Sequence, residues 1–168
     1  MTDNAEPKSD LRIRPVEASH IADLIRIGDE THLSRWTAEN YLDEMKNPSA
    51  IMLRLIDEEN VTIGFVVGRT VLGGESETQL DAEIYNIAID TGQQGNGYGQ
   101  LLFEEFLNVC RSRGVTNIWL EVRESNQKAI AFYEKNGFVT VQTRNNFYTD
   151  PREAALLMRL VVAEARTK

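Results

Sequence analysis

The order strand–helix–strand between residues 80 and 123 constrains the fold of this chain most strongly. Residues 80–89 and 115–123 have the apolar character of strands, and residues 97–113 lie between them as a helix. One face of that helix is an apolar stripe made of Phe103, Phe106, Leu107 and Cys110. Two strands joined by such a crossover helix form a right-handed parallel unit in nearly all known folds. We therefore expect a parallel strand pair within the sheet.

The flanking segments extend this unit into a mixed sheet. Apolar periodicity predicts further strands at residues 11–16, 51–56, 61–72, 138–148 and 154–162. Helices are predicted at residues 18–30 and 37–46, the second with Thr37 as its N-cap, and a last helix begins at a Ser125 cap and ends at Gly137. The predicted class is mixed α/β with α+β-like hairpins, a three-layer fold in which a central mixed sheet has helices on both faces.

Length and composition predict one domain. The 168 residues suffice for a single core, which we assign to residues 11–162, with polar tails at residues 1–10 and 163–168. No apolar run approaches the ~20 residues of a membrane span, and the polar N-terminus does not resemble a signal peptide. Cys110 is the single cysteine and cannot form an internal disulfide, so we expect a cytoplasmic protein that does not act at a membrane.

The net charge of −8 limits the classes of molecule that this protein is expected to bind. It argues against non-specific nucleic-acid binding. It suits a cationic acceptor such as an amine, although the same charge also serves solubility. His20 and His32 have no cysteine or carboxylate at metal-ligand spacing, so we predict no metal site.

A glycine-spaced loop precedes the central helix, with the sequence Gln94-Gly95-Asn96-Gly97-Tyr98-Gly99. Glycine permits positive φ and lets a ligand approach the backbone closely. The N–H groups of residues 95–100 would meet at a helix N-terminus, where phosphate binds well. A flexible turn is one alternative. A dinucleotide-binding loop is another, because Glu121 follows at about the spacing of the acid in that motif.

Two side chains downstream suggest proton transfer. Glu121 is a carboxylate within an otherwise apolar strand, which strands rarely bury without a reason. It is either a general base or the ion-pair partner of Arg123 or another cation. Tyr133 follows Asn126 by about two helical turns, on a similar face of one helix. Tyr133 is either a proton donor or a core aromatic.

These segments together resemble the GNAT family of acetyl-CoA-dependent N-acetyltransferases. The loop matches the family pattern Q/R-x-x-G-x-G, and residues 126–138 read NQKAIAFYEKNGF. The sequence outside these motifs resembles the RimI-type branch, the ribosomal-protein-alanine N-acetyltransferases. The resemblance covers residues 11–160 and is strongest over residues 81–138.

The resemblance implies acetyl-CoA as co-substrate. The residues that would bind it are Ile87, Ala88 and Ile89 in the fourth strand, Gln94, Gly95, Asn96, Gly97, Tyr98, Gly99 and Gln100 in the loop, and Asn126 and Lys128 near the last helix. Residues 91–100 contain no arginine or lysine, so the pyrophosphate would depend on backbone dipoles. Lys128 is a candidate cation for the phosphates, or else a solvated helix charge.

The resemblance also implies the chemistry and the acceptor. Glu121 would be the base and Tyr133 the acid in a direct transfer. Trp36, Tyr85 and Tyr148 would contact the acceptor, the N-terminal α-amine of a protein, with a ribosomal protein that starts with Ala or Ser as the expected one.

Two departures from the RimI-type pattern bear on the acceptor. Phe147 stands where the branch has a tyrosine, and Ala154 stands where it has an aspartate. Two other functions stay open. One is an acetyltransferase for a small amine such as a polyamine or an aminoglycoside. The other is a non-catalytic acetyl-CoA-binding module, which would need neither Glu121 nor Tyr133.

Overall fold

The computed structural model describes residues 10–74, 76 and 78–162. Within these residues it has seven strands and four α-helices, whose bounds are β1 (Arg12–Pro15), α1 (Ile21–Glu30), α2 (Ala38–Met45), β2 (Ala50–Ile56), β3 (Thr62–Leu72), β4 (Leu80–Ile89), α3 (Tyr98–Ser112), β5 (Asn117–Arg123), α4 (Gln127–Lys135), β6 (Val139–Thr149) and β7 (Arg152–Val161). Short 3-10 turns, Ala18–His20 and Thr91–Gln93, precede α1 and α3. The predicted order of elements is confirmed. The predicted tails lie outside the described residues, except for Asp10.

The strands form one sheet in the order β1-β2-β3-β4-β5-β7-β6. β4 and β5 run parallel, paired from Asp81–Asn117 to Ile84–Leu120, as the strand–helix–strand pattern predicts. β5 pairs with β7, and β7 with β6, in antiparallel fashion. The mixed α/β class is thereby confirmed.

The chain divides into two compact units. The described part of the first unit is residues 10–67 and 86–107, and that of the second unit is residues 68–74, 76, 78–85 and 108–162. The prediction of a single domain over residues 11–162 therefore stays a prediction.

The first unit is built on amphipathic helices. α1 buries Ile21, Leu24 and Ile27, which recur at helical spacing, and Leu24 and Ile27 are fully buried. Thr37 caps α2 as predicted, because its hydroxyl accepts the Asn40 N–H at 3.2 Å and the Asn40 side chain accepts the Thr37 N–H at 2.9 Å. This cap fixes where the chain turns after Trp36.

In the second unit, buried and partly exposed side chains alternate along β5. Ile118, Leu120 and Val122 are buried, whereas Trp119 and Glu121 on the opposite face are only partly covered. The polar face of β5 is therefore available for chemistry, while its apolar face holds the strand in the core.

The start of the parallel pair is fixed by Asp81, which is 2% exposed. Its carboxylate accepts hydrogen bonds from Trp119 Nε1 at 2.9 Å, Thr116 Oγ1 at 3.0 Å, Asn117 Nδ2 at 3.1 Å and Gln79 Nε2 at 3.1 Å. Burial raises the pKa of this carboxyl, but the four hydrogen bonds outweigh burial, and the net pKa lies below the ordinary value. The four donors to this buried carboxylate among the described residues are thus all neutral.

The last helix corrects one prediction. Asn126, not Ser125, caps α4, because the Asn126 side-chain oxygen accepts the Ala129 N–H at 3.2 Å. The Ser125 N–H donates instead to Glu153 Oε2 at 3.2 Å, so the chain is still turning at Ser125. No helix in the described part of the chain is long and apolar enough to cross a membrane.

Candidate active site

The glycine loop, residues 94–100, belongs to the first unit and has the backbone geometry of an anion site. Gly95 and Gly97 have φ of 82° and 78°, which other residues adopt only with strain. A Cβ added at either position would meet no atom within 4 Å, so open space lies beside the backbone there. α3 begins at Tyr98, and Leu101 N–H donates to Gly97 O at 3.3 Å. The N–H groups just before Leu101 therefore lie at a helix N-terminus, where anions are favoured.

Side chains within the loop brace it. Gln94 Nε2 donates to Ile89 O at 3.1 Å, and Asn96 Nδ2 donates to Gln93 O at 3.0 Å. These two amides donate to carbonyls that precede the loop, and binding of an anion by the backbone N–H groups stays a prediction. The arrangement fits the predicted dependence on backbone dipoles.

Sequence reasoning missed an ion pair at the base of this loop. Arg26 of α1 donates to Asp90 Oδ2 at 2.9 Å, and Asp90 Oδ1 accepts the Gly92 N–H at 3.0 Å. The hydrogen bond from Arg26 lowers the pKa of the Asp90 carboxyl. Arg26 and Asp90 lie 64 residues apart, and no local pattern connects them.

The predicted pantetheine segment, Ile87, Ala88 and Ile89, lies at the end of β4. Ala88 and Ile89 are buried. Gly64 of β3 lies against them, since an added Cβ would collide with the Ile89 side chain and come within 2.9 Å of Ala88 O. The parallel pairing of β4 with β5 stops at Ile84, before this segment begins.

Glu121, in the second unit, is ion-paired, but not with the arginine that its sequence neighbourhood suggests. Arg144 Nη1 lies 2.6 Å from Glu121 Oε1, and the two side chains are 43% and 29% exposed. The register explains the pairing. Arg123 of β5 and Arg144 of β6 both lie opposite Ala155 of β7, and this small side chain leaves room for Arg144 to reach across β7 to β5.

Arg123 has a different partner. Its Nη1 donates to Glu153 Oε1 at 2.9 Å, and its guanidinium carbon lies 4.0 Å from the centre of the Tyr148 ring. We call Glu121, Arg123, Arg144, Tyr148 and Glu153 the charged cluster. Of the two ion-pair partners left open by the sequence, Arg123 or another cation, the structure shows the second, Arg144, and the role of Glu121 as a general base stays a prediction.

Tyr133 is 8% exposed and has the aromatic rings of Phe132 and Phe138 edge-on at 5.5 Å each. Burial raises the pKa of its phenol above the ordinary value, and Tyr148 adds to the effect. The pKa of Tyr148 is also raised, by burial and by the charge of Glu121, against the opposing charge of Arg123. With its pKa raised, Tyr133 is protonated at neutral pH.

The other predicted acceptor residues have internal contacts. Trp36, in the first unit, packs on Tyr41 at a ring distance of 5.2 Å, and burial raises the pKa of Tyr41 to about 12 despite the Asn86 amide. Tyr85, in the second unit, donates its hydroxyl to Glu83 Oε2 at 2.7 Å, with Arg69 over its ring at 5.3 Å.

Two more candidates lie at the start of α4, in the second unit. Asn126 uses its side-chain oxygen as the helix cap, so its amide nitrogen is the part that could donate to pantetheine. Lys128 is exposed two residues further on. Cys110 is buried, and burial raises the pKa of its thiol to about 12, which makes it a poor nucleophile.

The structure thus gathers the predicted residues into two sets. The first unit holds the glycine loop, the Ile87–Ile89 segment and Trp36, and the second holds Glu121, Tyr133, Tyr148, Tyr85, Asn126 and Lys128. In the described part of the chain no cluster of three or more His, Cys, Asp or Glu side chains could hold a metal ion.

The model of the acetyltransferase (GNAT) family matches residues 18–138. This chain belongs to the GNAT family. Like the other GNAT enzymes it is an N-acetyltransferase with acetyl-CoA as its acyl donor, so the predicted family, enzyme class and co-substrate are confirmed. The alternative of a non-catalytic binding module is therefore not retained.

Several GNAT relatives are closely similar. The [ribosomal protein bS18]-alanine N-acetyltransferase of Haemophilus influenzae is 38% identical over 149 residues, which cover 87% of this chain and 95% of the relative. The crystal structure of the ribosomal-protein-S18-alanine N-acetyltransferase from Escherichia coli superposes with a TM-score of 0.79 at 30% identity, covering 92% of this chain and 96% of that one. Ard1 from Thermoplasma volcanium gives a TM-score of 0.80 at 29% identity, covering 92% and 99%.

Proposed function

We propose that this GNAT enzyme transfers the acetyl group of acetyl-CoA to the N-terminal α-amine of a protein, a ribosomal protein beginning with Ala or Ser being the expected acceptor. The names of its relatives in Haemophilus influenzae and Escherichia coli support this acceptor. The observation that carries the proposal is the partly exposed Glu121 carboxylate on the polar face of β5, the face that also carries Arg123 against the Tyr148 ring.

Each donor-binding segment has a part in this account. The backbone N–H groups of the glycine loop bind the pyrophosphate, and the loop is kept in place by the Arg26–Asp90 pair at its base. The Ile87–Ile89 backbone, beyond the end of the parallel pairing, binds pantetheine by hydrogen bonds. One backbone N–H there also stabilises the oxyanion of the tetrahedral intermediate. The Asn126 amide nitrogen donates to pantetheine as well.

Glu121 and Tyr133 move the two protons. The acceptor must be neutral to attack, and an α-amine has an ordinary pKa of about 7.7–8.0. Glu121 takes the amine proton, directly or through one water. The new C–N bond forms at the acetyl carbon, the C–S bond breaks, and Tyr133 donates its phenolic proton to the departing thiolate. No acyl-enzyme forms.

The Glu121–Arg144 pair is compatible with this role. Arg144 orients the carboxylate through one oxygen, Oε1. An ionised carboxylate has a second oxygen and several lone pairs, so Glu121 can accept a proton while paired. At 29% exposure the carboxylate is also within reach of solvent.

A thiol-release assay tests the proposal. Peptides that begin with Ala or Ser would be compared with polyamines, an aminoglycoside and an Nα-blocked peptide containing lysine. We expect release of CoA thiol with the free N-terminal peptides and little with the others. Rates confined to the small amines would reject the protein acceptor and leave the acetyl-transfer chemistry in place.

A further inference from the structure

Arg123 makes contacts of three kinds around the turn that joins β6 to β7. Its Nη1 donates to Glu153 Oε1 at 2.9 Å and to Pro151 O at 3.3 Å. Its Nη2 donates to Asp150 O at 3.3 Å. Its guanidinium carbon lies 4.0 Å from the centre of the Tyr148 ring. One side chain from β5 therefore contacts both ends of the β6–β7 turn and the turn itself.

Only a guanidinium can make these contacts at once. Its rim carries five N–H donors in a fixed plane, while its flat face stacks on an aromatic ring. A lysine ammonium has three donors at a single point and has no flat face. The charge alone therefore does not account for the arrangement.

Glu153 completes the connection on the other side. Its Oε1 accepts from Arg123, and its Oε2 accepts the Ser125 N–H at 3.2 Å, in the chain just after β5. Glu153 also lies directly opposite Tyr148 in the β6–β7 register. The Tyr148 ring thus lies against the guanidinium of Arg123 and opposite Glu153 in the register. Glu153 in turn is hydrogen-bonded to Arg123 and to the Ser125 N–H.

We propose that Arg123 is a positioning residue for the acceptor, acting through Tyr148 and through Asp150 and Pro151 of the turn. The inference rests on the proposed function and on the contact between Tyr148 and the acceptor peptide that the family resemblance implies. Arg123 itself touches neither the acetyl group nor the acceptor amine. Its effect is to hold the Tyr148 hydroxyl at one place, so that binding the peptide does not have to order the turn.

The alternative is a simple ion pair between Arg123 and Glu153. Their side chains are 27% and 15% exposed, and the ion pair would be present in either account. A melting temperature does not separate the two accounts. The acceptor KM and the environment of Tyr148 do.

The test compares Arg123→Lys with Arg152→Lys. Both remove a guanidinium and keep the charge, and Arg152 is exposed at the start of β7, next to the same turn. For Arg123→Lys we expect the KM for an Ala-starting peptide to rise ~10-fold or more, with kcat changed less than ~3-fold and acetyl-CoA affinity unchanged. Arg152→Lys is expected to match the wild type. Equal KM values for the two variants would overturn the inference.

A second measurement works without any acceptor. In protein with carbon-13-labelled tyrosine, the Tyr148 ring signal is identified by its loss in Tyr148→Phe. Arg123→Lys should shift this signal, and Arg152→Lys should not. If no peptide is acetylated by the wild type, the proposed function fails, and the ring signal alone decides the positioning role. An unshifted ring in Arg123→Lys would overturn it.

Glu153→Gln provides an independent variant if Arg123→Lys does not fold. It removes the carboxylate from Arg123 and leaves the stack on Tyr148. We expect a shifted Tyr148 signal and a KM increase smaller than that of Arg123→Lys. A Tyr148 signal identical to the wild type in this variant would likewise contradict the role of Arg123.

Discussion

The glycine loop and the charged cluster differ in which part of the chain sets their geometry. In the loop, positive φ at Gly95 and Gly97 places backbone N–H groups at the start of α3, and nearby side chains only brace it. In the cluster, side chains from β5, β6 and β7 hold one another, as in the Glu121–Arg144 pair. A substitution in the loop should therefore alter donor affinity. One in the cluster or in the adjoining Tyr133 should alter turnover or acceptor binding.

The largest effect is expected from Tyr133→Phe, beside the cluster. Turnover should fall ~10²-fold or more, because the thiolate loses its proton donor. Acetyl-CoA affinity, measured by calorimetry, should be unchanged. Tyr41→Phe removes a phenol of similar burial from the first unit and serves as the control, with wild-type turnover expected. Wild-type turnover in Tyr133→Phe would make this residue a core aromatic only.

Glu121→Gln should lower turnover by ~10- to 100-fold near pH 7, where most of an α-amine with pKa 7.7–8.0 is protonated. The rate should recover partly above pH 9, because the amine then loses its proton without a base. A pH profile of kcat/KM measures this. A loss that is the same at every pH would mean that Glu121 serves only to anchor Arg144.

The loop is tested by Gly97→Val. A side chain at φ 78° is strained by about 1–2 kcal/mol, and its bulk fills the space beside the backbone. We expect acetyl-CoA affinity to fall ~10-fold or more, measured by calorimetry. Gly28→Ala is the matched control, since a Cβ there also meets nothing within 4 Å but φ is not positive. Unchanged affinity in Gly97→Val would remove the loop from the donor site.

These two regions also differ in how far the sequence predicted them. The sequence predicts positive φ at Gly95 and Gly97, because glycine spacing before an amphipathic helix is a local pattern. The sequence does not predict the ion-pair partner of Glu121, because Arg144 lies 23 residues away. Only the β5–β7–β6 register brings the two side chains together. The same holds for Arg26 with Asp90 and for Arg123 with Glu153.

At the level of the fold, the local patterns predicted every strand and helix in the correct order. An element begins or ends at a different residue from the predicted one where a side-chain hydrogen bond, and not apolar periodicity, determines its end. Asn126 in place of Ser125 as the cap of α4 is the clearest case. Caps compete over neighbouring residues, and here it is the Asn126 side-chain oxygen that accepts the Ala129 N–H, a choice that periodicity does not determine.

In the second unit, a substitution of Asp81 is expected to change the free energy of unfolding. Asp81→Asn should cost about 1 kcal/mol of unfolding free energy at neutral pH, because an amide replaces a charged acceptor of four hydrogen bonds. The folded pKa is lowered. The stabilisation is therefore present above the unfolded pKa of about 3.9 and lost as pH falls through the folded value. Urea titrations at pH 7 and near pH 3 measure it. A difference between the two proteins that grows in acid would contradict this sign.

The smallest effect concerns salt. If backbone dipoles bind the pyrophosphate, acetyl-CoA affinity should change less than ~3-fold between about 50 and 200 mM salt, since few full charges are screened. Calorimetry at several salt concentrations measures this. A steep loss of affinity would point to cations, with Lys128 as the first to replace by Gln.

The central claim is acetylation of an α-amine, and the most direct measurement is mass spectrometry of one product. The acceptor is a peptide that begins with alanine and also contains an internal lysine, so both amines compete in the same molecule. Fragmentation locates the added acetyl group. The account predicts the acetyl group on the alanine nitrogen. Acetylation mainly on the lysine side chain would contradict it.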